Sequence, residues 1–208
     1  MRLMVYSKST EKYINKFKFD DKFLVTHHPD STILDLRNTV DKSIAIGGGS
    51  VIDVAKIMTK DKIIAIPTTY SGASETTHAV YWDKEKKHDI KTKKPISILI
   101  RDWINLPKDL EAATKIDCLC HITEALISPK GTNKSTKNCL LAINMIKKND
   151  WLKASIYAGR AIEITGTNII HSLSYPLTVT NIKYMPHGLS LAKIIEMAKE
   201  YNKFEGLL

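Results

Sequence analysis

The chain holds only three cysteines (Cys118, Cys120 and Cys139) in 208 residues, too few for a disulfide framework. Reduced thiols and a cytoplasmic location are therefore expected. No apolar run approaches the roughly 20 residues of a spanning helix, so no membrane segment is expected. Met1–Thr10 has neither the long apolar stretch nor the small-residue cleavage site of a secretory signal. Arginine is scarce: Arg2, Arg37, Arg101 and Arg160 are the only four among 31 basic residues, although the formal charge is +9. Nucleic-acid readers favour Arg for bidentate contacts, so nucleic-acid binding is not expected. The lysines, densest in Asp83–Lys94, read instead as a solvated surface or as an attraction for an anionic substrate. What is present is ordinary globular composition, 43% hydrophobic and 25% charged, in a chain long enough to bury a core.

Along the chain, Arg2–Tyr6, Lys22–Thr26, Ser43–Ile46, Lys62–Ile66 and Ile96–Ile100 read as short buried strands. Helical spacing is predicted over Thr10–Phe19, from Pro29–Thr32 onward with Asp30 or Ser31 as cap, and over Ser50–Lys60. Strands alternating with short helices imply βαβ units and a parallel sheet. After Leu106–Pro107 the pattern changes to helices over Glu111–Ile127, Lys137–Ile146, Trp151–Thr165 and Leu189–Tyr201. The predicted organisation is an α/β dinucleotide-binding domain over residues 1–105 and an all-helical, metal-binding domain over 106–208.

Gly47–Gly48–Gly49–Ser50–Val51–Ile52–Asp53 joins a strand to a helix. Glycines there allow a sharp turn and a close approach of backbone to ligand. The helix start offers open N–H groups suited to a pyrophosphate. Ser50 and Asp53 have capping-box spacing. The standard dinucleotide fingerprint wants a third glycine where Ile52 stands, and no Gly-Lys-Ser/Thr follows, so neither that fingerprint nor a P-loop is matched. A capped glycine turn without a ligand is the plainer alternative. The next strand ends in Pro67–Glu75 (PTTYSGASE), so two successive strand ends carry small or hydroxyl side chains, where an open parallel sheet binds ligands. A Ser/Thr-rich turn alone is common.

Asp117 and His121 are four apart on one helix face, with Glu124 near it. Such a pair can grip a divalent ion, with Glu124 supporting a ligand from outside, although an ordinary polar pair is the plainer reading. His171 and His187 lie further on in the same half. One carboxylate and three imidazoles suit Fe2+ or Zn2+. Cys118 and Cys120, two apart on a helix, point to different sides and read as packing. His27, His28, His78 and His88 lie in the other half and carry no assigned role.

The order of these segments resembles the iron-containing (group III) alcohol dehydrogenase family. The carrying motifs are IGGGSVIDVAK (Ile46–Lys56), PTTYSGASE, DCLCHITEA (Asp117–Ala125), HSLSYPLT (His171–Thr178) and PHG (Pro186–Gly188). The resemblance implies a nucleotide-binding domain, a helical metal domain and a cleft between them. It implies that Gly48, Gly49, Ser50 and Asp53 serve the pyrophosphate, with Thr68, Thr69, Ser71 and Ser74 near the pyrophosphate and nicotinamide ribose. It implies Asp117, His121, His171 and His187 as metal ligands, and reversible hydride transfer between NAD(P)H and a small alcohol or aldehyde. HSLSYPLT looks most like the branch that reduces phosphonoacetaldehyde, which suits an anionic substrate.

Relative to the family the chain is short, with less of the helical domain. Ser7 stands where many members carry an aspartate for the adenosine ribose, which allows NADP as well as NAD. Tyr175 stands where many carry a second histidine. A polyol or glycerol-phosphate dehydrogenase of the same fold, or a shortened relative that binds nucleotide or metal without catalysis, are the alternatives. Self-association is one way to cover the helical half.

Overall fold

The computed structural model describes residues 1–84, 86–179 and 187–204. Contacts divide the chain into two compact units, Met1–Leu106 and Pro107 onward.

In the first unit, strands β1 (Arg2–Ser7), β2 (Asp21–Val25), β3 (Val40–Gly47), β4 (Thr59–Pro67) and β7 (Ile96–Ser97) form one sheet in the order β2-β1-β3-β4-β7. Every pairing is parallel. Both faces are covered, which is why the central strands read as continuous apolar runs. Leu3, Val5, Ala45, Ile63 and Ala65 pack on one face with Val51, Ile52 and Ala55 of helix α1 (Gly49–Met58). Met4, Tyr6, Ile44, Ile46 and Ile66 pack on the other, against Tyr13, Phe17 and Trp103. Tyr13 and Trp103 stack with centroids 4.4 Å apart.

The chain moves outward from β1 to β2, then returns across β1 to β3 and runs the other way. The switch point therefore lies between the carboxyl ends of β1 and β3, where Ser7 and Gly47 stand. Open parallel sheets bind ligands in such a crevice.

Three expectations are corrected here. The connectors over Lys8–Lys16 and Ser31–Leu36 are 3-10 turns rather than α-helices. In the first, Thr10 Oγ1 accepts from the Ser7 amide and donates to the Ile46 carbonyl, and such side-chain bonds to backbone compete with regular helix. The expected strand over Ile96–Ile100 pairs only through Ile96–Ser97. The described lysines of Asp83–Lys94 are exposed or half-exposed, and part of that stretch belongs to an antiparallel hairpin that was not expected, β5 (His78–Asp83) with β6 (Lys86–Lys91).

The second unit is helical throughout its described residues: α2 (Lys108–Ile127), α3 (Asn133–Lys147), α4 (Trp151–Thr165), α5 (Ile169–Val179) and α6 (His187–Phe204). Its core is built from small side chains, including Cys118, Ala125, Cys139, Ala142, Ala154, Ala158 and Ala161, which let α2, α3 and α4 approach closely. Gly166, at φ 70, ends α4 and turns the chain into α5. Helix α5 was not predicted, and it carries Pro176 inside it. No helix among the described residues is long and apolar enough to cross a membrane.

Candidate metal centre and nucleotide turn

Helix α2 places Asp117, His121 and Glu124 on one face, because positions four and seven apart lie one and two turns along. Asp117 Oδ1 is the hub. His171 Nε2 lies 3.4 Å from it, His121 Nε2 3.7 Å and His187 Nε2 3.8 Å. The rings of His121 and His171 stack with centroids 4.8 Å apart. Ligand atoms of Asp117, His121 and His171 all lie within 4.8 Å of one another.

His187 arrives because α6 starts hard against α2: a Cβ on Gly188 would stand 1.8 Å from the Ala113 carbonyl oxygen. Only glycine permits that approach. Pro186 of the Pro186–Gly188 motif lies outside the described residues. Tyr175, the substitute for the family's second histidine, stacks against His187 with centroids 6.2 Å apart.

The four side chains fit a divalent ion. Asp117 Oδ1 and His171 Nε2 are buried and make no hydrogen bond among the described residues, which is costly unless something else satisfies them. Ligand atoms about 2.1 Å from an ion sit about 3 to 3.5 Å from one another, close to the spacing around Asp117 Oδ1. Burial opposes the charge on Asp117, but His121, His171 and His187 outweigh it and hold its carboxyl below 3.8. Burial likewise opposes a charged His171, and Asp117 and Glu124 outweigh it and hold the imidazole above 6.5. The nitrogen–oxygen set suits Fe2+ or Zn2+. Cys118 and Cys120 are pushed up to about 12, by burial first and then by Asp117. Both stay protonated and pack.

Glu124 stands behind the cluster and is fully buried. Its Oε2 accepts from His171 Nδ1 at 2.7 Å and from the Asn168 amide at 3.0 Å, while Oε1 accepts from the His171 amide at 3.0 Å.

In the first unit, the turn after β3 meets the turn after β4. The Thr68 amide donates to the Gly47 carbonyl at 3.0 Å. A Cβ on Gly48 would come within 2.9 Å of Thr69 Cγ2, and one on Gly49 would lie 3.6 Å from Ser71 Oγ. Gly48, Gly49, Thr68, Thr69 and Ser71 are thus brought together. Gly48 is the N-cap of α1 and supplies no side-chain cap. The first bond of the helix runs from the Ile52 amide to the Gly48 carbonyl, so the amides before Ile52 have no acceptor within the helix.

The expected capping box does not form, because α1 starts at Gly49 with Gly48 as its N-cap and Ser50 lies within the first turn. Ser50 Oγ pairs with His28 Nδ1 at 2.7 Å. Asp53 faces Lys56 at 3.6 Å, and burial raises its pKa despite that lysine and a bond from the Val80 amide. Ser74 is fully buried in its turn.

Two residues escaped the sequence reading. Lys56 is fully buried and donates to the Ala73 carbonyl, to Thr76 Oγ1 at 2.9 Å and to the His78 carbonyl at 2.7 Å. It pins the turn after β4 and the hairpin to α1. An Asp–Lys pair three apart reads as an exposed helix pair, so nothing local signalled its burial. His28 approaches Ser50 across 22 residues, a contact no spacing rule could find.

A parallel α/β unit with a glycine turn, followed by a helical unit carrying one aspartate among histidines, is a two-part fold with known counterparts. The family model described as iron-containing alcohol dehydrogenase matches residues 11–104. The 4-hydroxybutyrate dehydrogenase of Clostridium kluyveri is 30% identical over 194 residues, covering 71% of this chain and 51% of that protein. An iron-containing alcohol dehydrogenase from Thermotoga maritima superposes with TM-score 0.79 at 22% identity, over 96% of this chain and 71% of that one. A sulfoacetaldehyde reductase from Bifidobacterium kashiwanohense, solved with NAD+, gives 0.78 at 23% identity, over 97% and 69%. The family model, the sequence relatives and the fold all point to the iron-containing alcohol dehydrogenase family as the one this chain resembles. It spans about half the length of the sequence relatives it matches first.

Proposed function

We propose that this chain is a metal-dependent, NAD(P)-linked alcohol dehydrogenase or aldehyde reductase acting on a small substrate. The observation that carries the reading is Asp117 Oδ1 ringed by three imidazole Nε2 atoms at 3.4 to 3.8 Å. Asp117, His121, His171 and His187 would hold Fe2+ or Zn2+. Such an ion supplies Lewis acidity toward a carbonyl or alcohol oxygen, and a nicotinamide supplies or takes the hydride.

The chain's own residues prepare the two sites. Gly48 and Gly49 keep the turn free of side chains and leave the α1 amides open to a pyrophosphate. Thr68, Thr69 and Ser71 put hydroxyls beside it, while Ser50 is braced by His28. The half-buried Asp53, facing Lys56, and the buried Ser74 serve the same turn by holding its shape. At the switch point Ser7 Oγ lies 3.0 Å from Ser9 Oγ and 3.2 Å from Thr10 Oγ1. Hydroxyls there accept either ribose, so NADP and NAD are both expected to bind. Around the metal site, burial of Asp117 and His171 excludes water and preserves their charge-based attraction for a cation.

The substrate proposed is a small anionic aldehyde or its alcohol. The +9 charge supports this, as does the His171–Thr178 resemblance to the phosphonoacetaldehyde-reducing branch. Two relatives, named for 4-hydroxybutyrate and sulfoacetaldehyde, also act on small anions. The test is a panel of neutral, carboxylated, sulfonated, phosphonated and polyol substrates with NADH and NADPH, on protein loaded with Fe2+ or Zn2+. Turnover strongest on anionic aldehydes is expected; turnover confined to polyols would overturn the substrate class.

A second reading, binding without turnover, is favoured by large apolar side chains exposed on the helical unit, among them Ile127, Leu140 and Ile169. Cofactor and metal binding with no turnover on any member of the panel would support it over the first.

A further inference from the structure

The metal-centre reading leaves one buried charge unused. Glu124 contacts no proposed substrate or cofactor, yet its carboxylate takes three donors: the Asn168 amide, the His171 amide and His171 Nδ1. All three belong to the entry of α5, some 44 to 47 residues away in sequence. The Ser172 amide donates to the Asn168 carbonyl, so Asn168 opens that helix. The carboxylate therefore takes the place of an N-cap side chain, supplied from another helix, and sits where the helix dipole favours a negative charge.

We propose that Glu124 is the positioning residue of the metal centre. It fixes His171 in the tautomer protonated at Nδ1, so that Nε2 faces Asp117 with its lone pair available to a cation. The proposal rests on the metal-centre reading. An ionised carboxylate only accepts hydrogen bonds, so a neutral imidazole at 2.7 Å must donate to it through Nδ1. The other nitrogen is then an acceptor, which a metal needs. Glu124 also grips the His171 amide, so backbone and ring are held by the same group and the ring has little freedom to swing. From the far side, Ser174 Oγ donates to the His171 carbonyl at 2.7 Å. One buried side chain thereby couples the start of α5 to the orientation of a ligand on it. Asp117 and His121 need no such device, since α2 itself sets their spacing.

Glu124→Gln tests this with almost no change of shape. Its amide NH2 must confront a backbone N–H, or donate to His171 Nδ1 and drive the ring proton to Nε2, the nitrogen a metal requires bare. The measurement is Zn2+ affinity by competition with a chromophoric chelator, alongside thermal melting of the metal-free proteins to establish folding. A loss of about 10- to 100-fold in affinity is expected for a folded E124Q protein. Affinity within twofold of the unaltered chain would overturn the proposal.

A second measurement needs no variant. In the Zn2+-loaded protein, nitrogen–proton NMR of labelled histidines is expected to show a slowly exchanging proton on Nδ1 of His171. A proton on Nε2 would overturn the proposal, whether or not E124Q folds. Absence of Zn2+ binding to the unaltered chain would remove the metal-centre reading and this inference with it. Equal binding by both proteins would remove only the role of Glu124.

Discussion

The two units build their candidate sites from different material. In the α/β unit the site is made of backbone: two turns after parallel strands, kept narrow by Gly48 and Gly49, with open amides at the start of α1. In the helical unit it is made of side-chain atoms: one carboxylate oxygen and three imidazole nitrogens from α2, α5 and α6. Their supports differ as well. A buried cation, Lys56, holds main-chain carbonyls in the first unit, whereas a buried anion, Glu124, holds main-chain amides in the second. The lesson is that damage should act through shape in one unit and through chemistry in the other.

The largest effect is expected from Asp117→Asn, which keeps the shape of the hub and removes its charge. Metal analysis after dialysis should find a loss greater than the roughly 10- to 100-fold typical of a residue behind a ligand. Full metal retention would mean that charge at this position is not what gathers the ligands.

Lys56→Met should come next. It leaves the Ala73 and His78 carbonyls without their donor and Asp53 without its cation. Breaking a buried pair costs about 3 to 5 kcal/mol, to be read from urea unfolding of the α/β unit. A loss near zero would show that the turn after β4 needs no tether.

A pair of glycine variants sharpens the contrast. A Cβ at Gly188 meets backbone of α2 at 1.8 Å, whereas one at Gly48 meets only the end of the Thr69 side chain at 2.9 Å. Gly188→Ala should cost about 3 kcal/mol or more in stability. Gly48→Ala should cost under about 1 kcal/mol and act instead by weakening NADH or NADPH binding, followed by nicotinamide fluorescence. Equal stability losses would erase the distinction.

The smallest effect is on pH dependence in metal-free protein. Burial opposes the charge on both carboxylates, but three histidines hold Asp117 below 3.8, and the His171 side chain with the Asn168 and His171 amides holds Glu124 below 4.5. Groups depressed in the fold stabilise it above their ordinary values, and that contribution is lost as pH falls. His171 is held above 6.5, so its contribution is present below 6.5 and is lost as pH rises through the higher value. The helical unit should therefore be most stable between about pH 4.5 and 6.5. Asp53, raised by burial, has the opposite sign, and acid relieves its cost. Hydrogen exchange should show α2 opening before β3 as pH falls; the reverse order would contradict these signs.

Much of this was legible in the sequence. The central strands are apolar runs because both faces of a parallel sheet are covered, and the Asp117–His121 pair follows from helical period alone. The meeting of His171 and His187 with Asp117 was legible only through the order of family motifs. It is a tertiary contact, made by the turn at Gly166 and the close approach at Gly188. The β5–β6 hairpin was hidden by its lysines, and α5 by Pro176. Ser50 and Asp53 were misleading as a capping box, because the glycine turn lets α1 start at Gly49, ahead of Ser50, and their side chains meet His28 and Lys56 instead.

The central claim is that one cation is gathered by oxygen and imidazole nitrogen alone. X-ray absorption at the zinc edge of the Zn2+-loaded protein tests it directly. The account expects one ion per chain, three imidazole nitrogens and at least one oxygen at about 2.0 to 2.2 Å, and no sulfur. A sulfur shell near 2.3 Å, drawn from Cys118, Cys120 or Cys139, would contradict it.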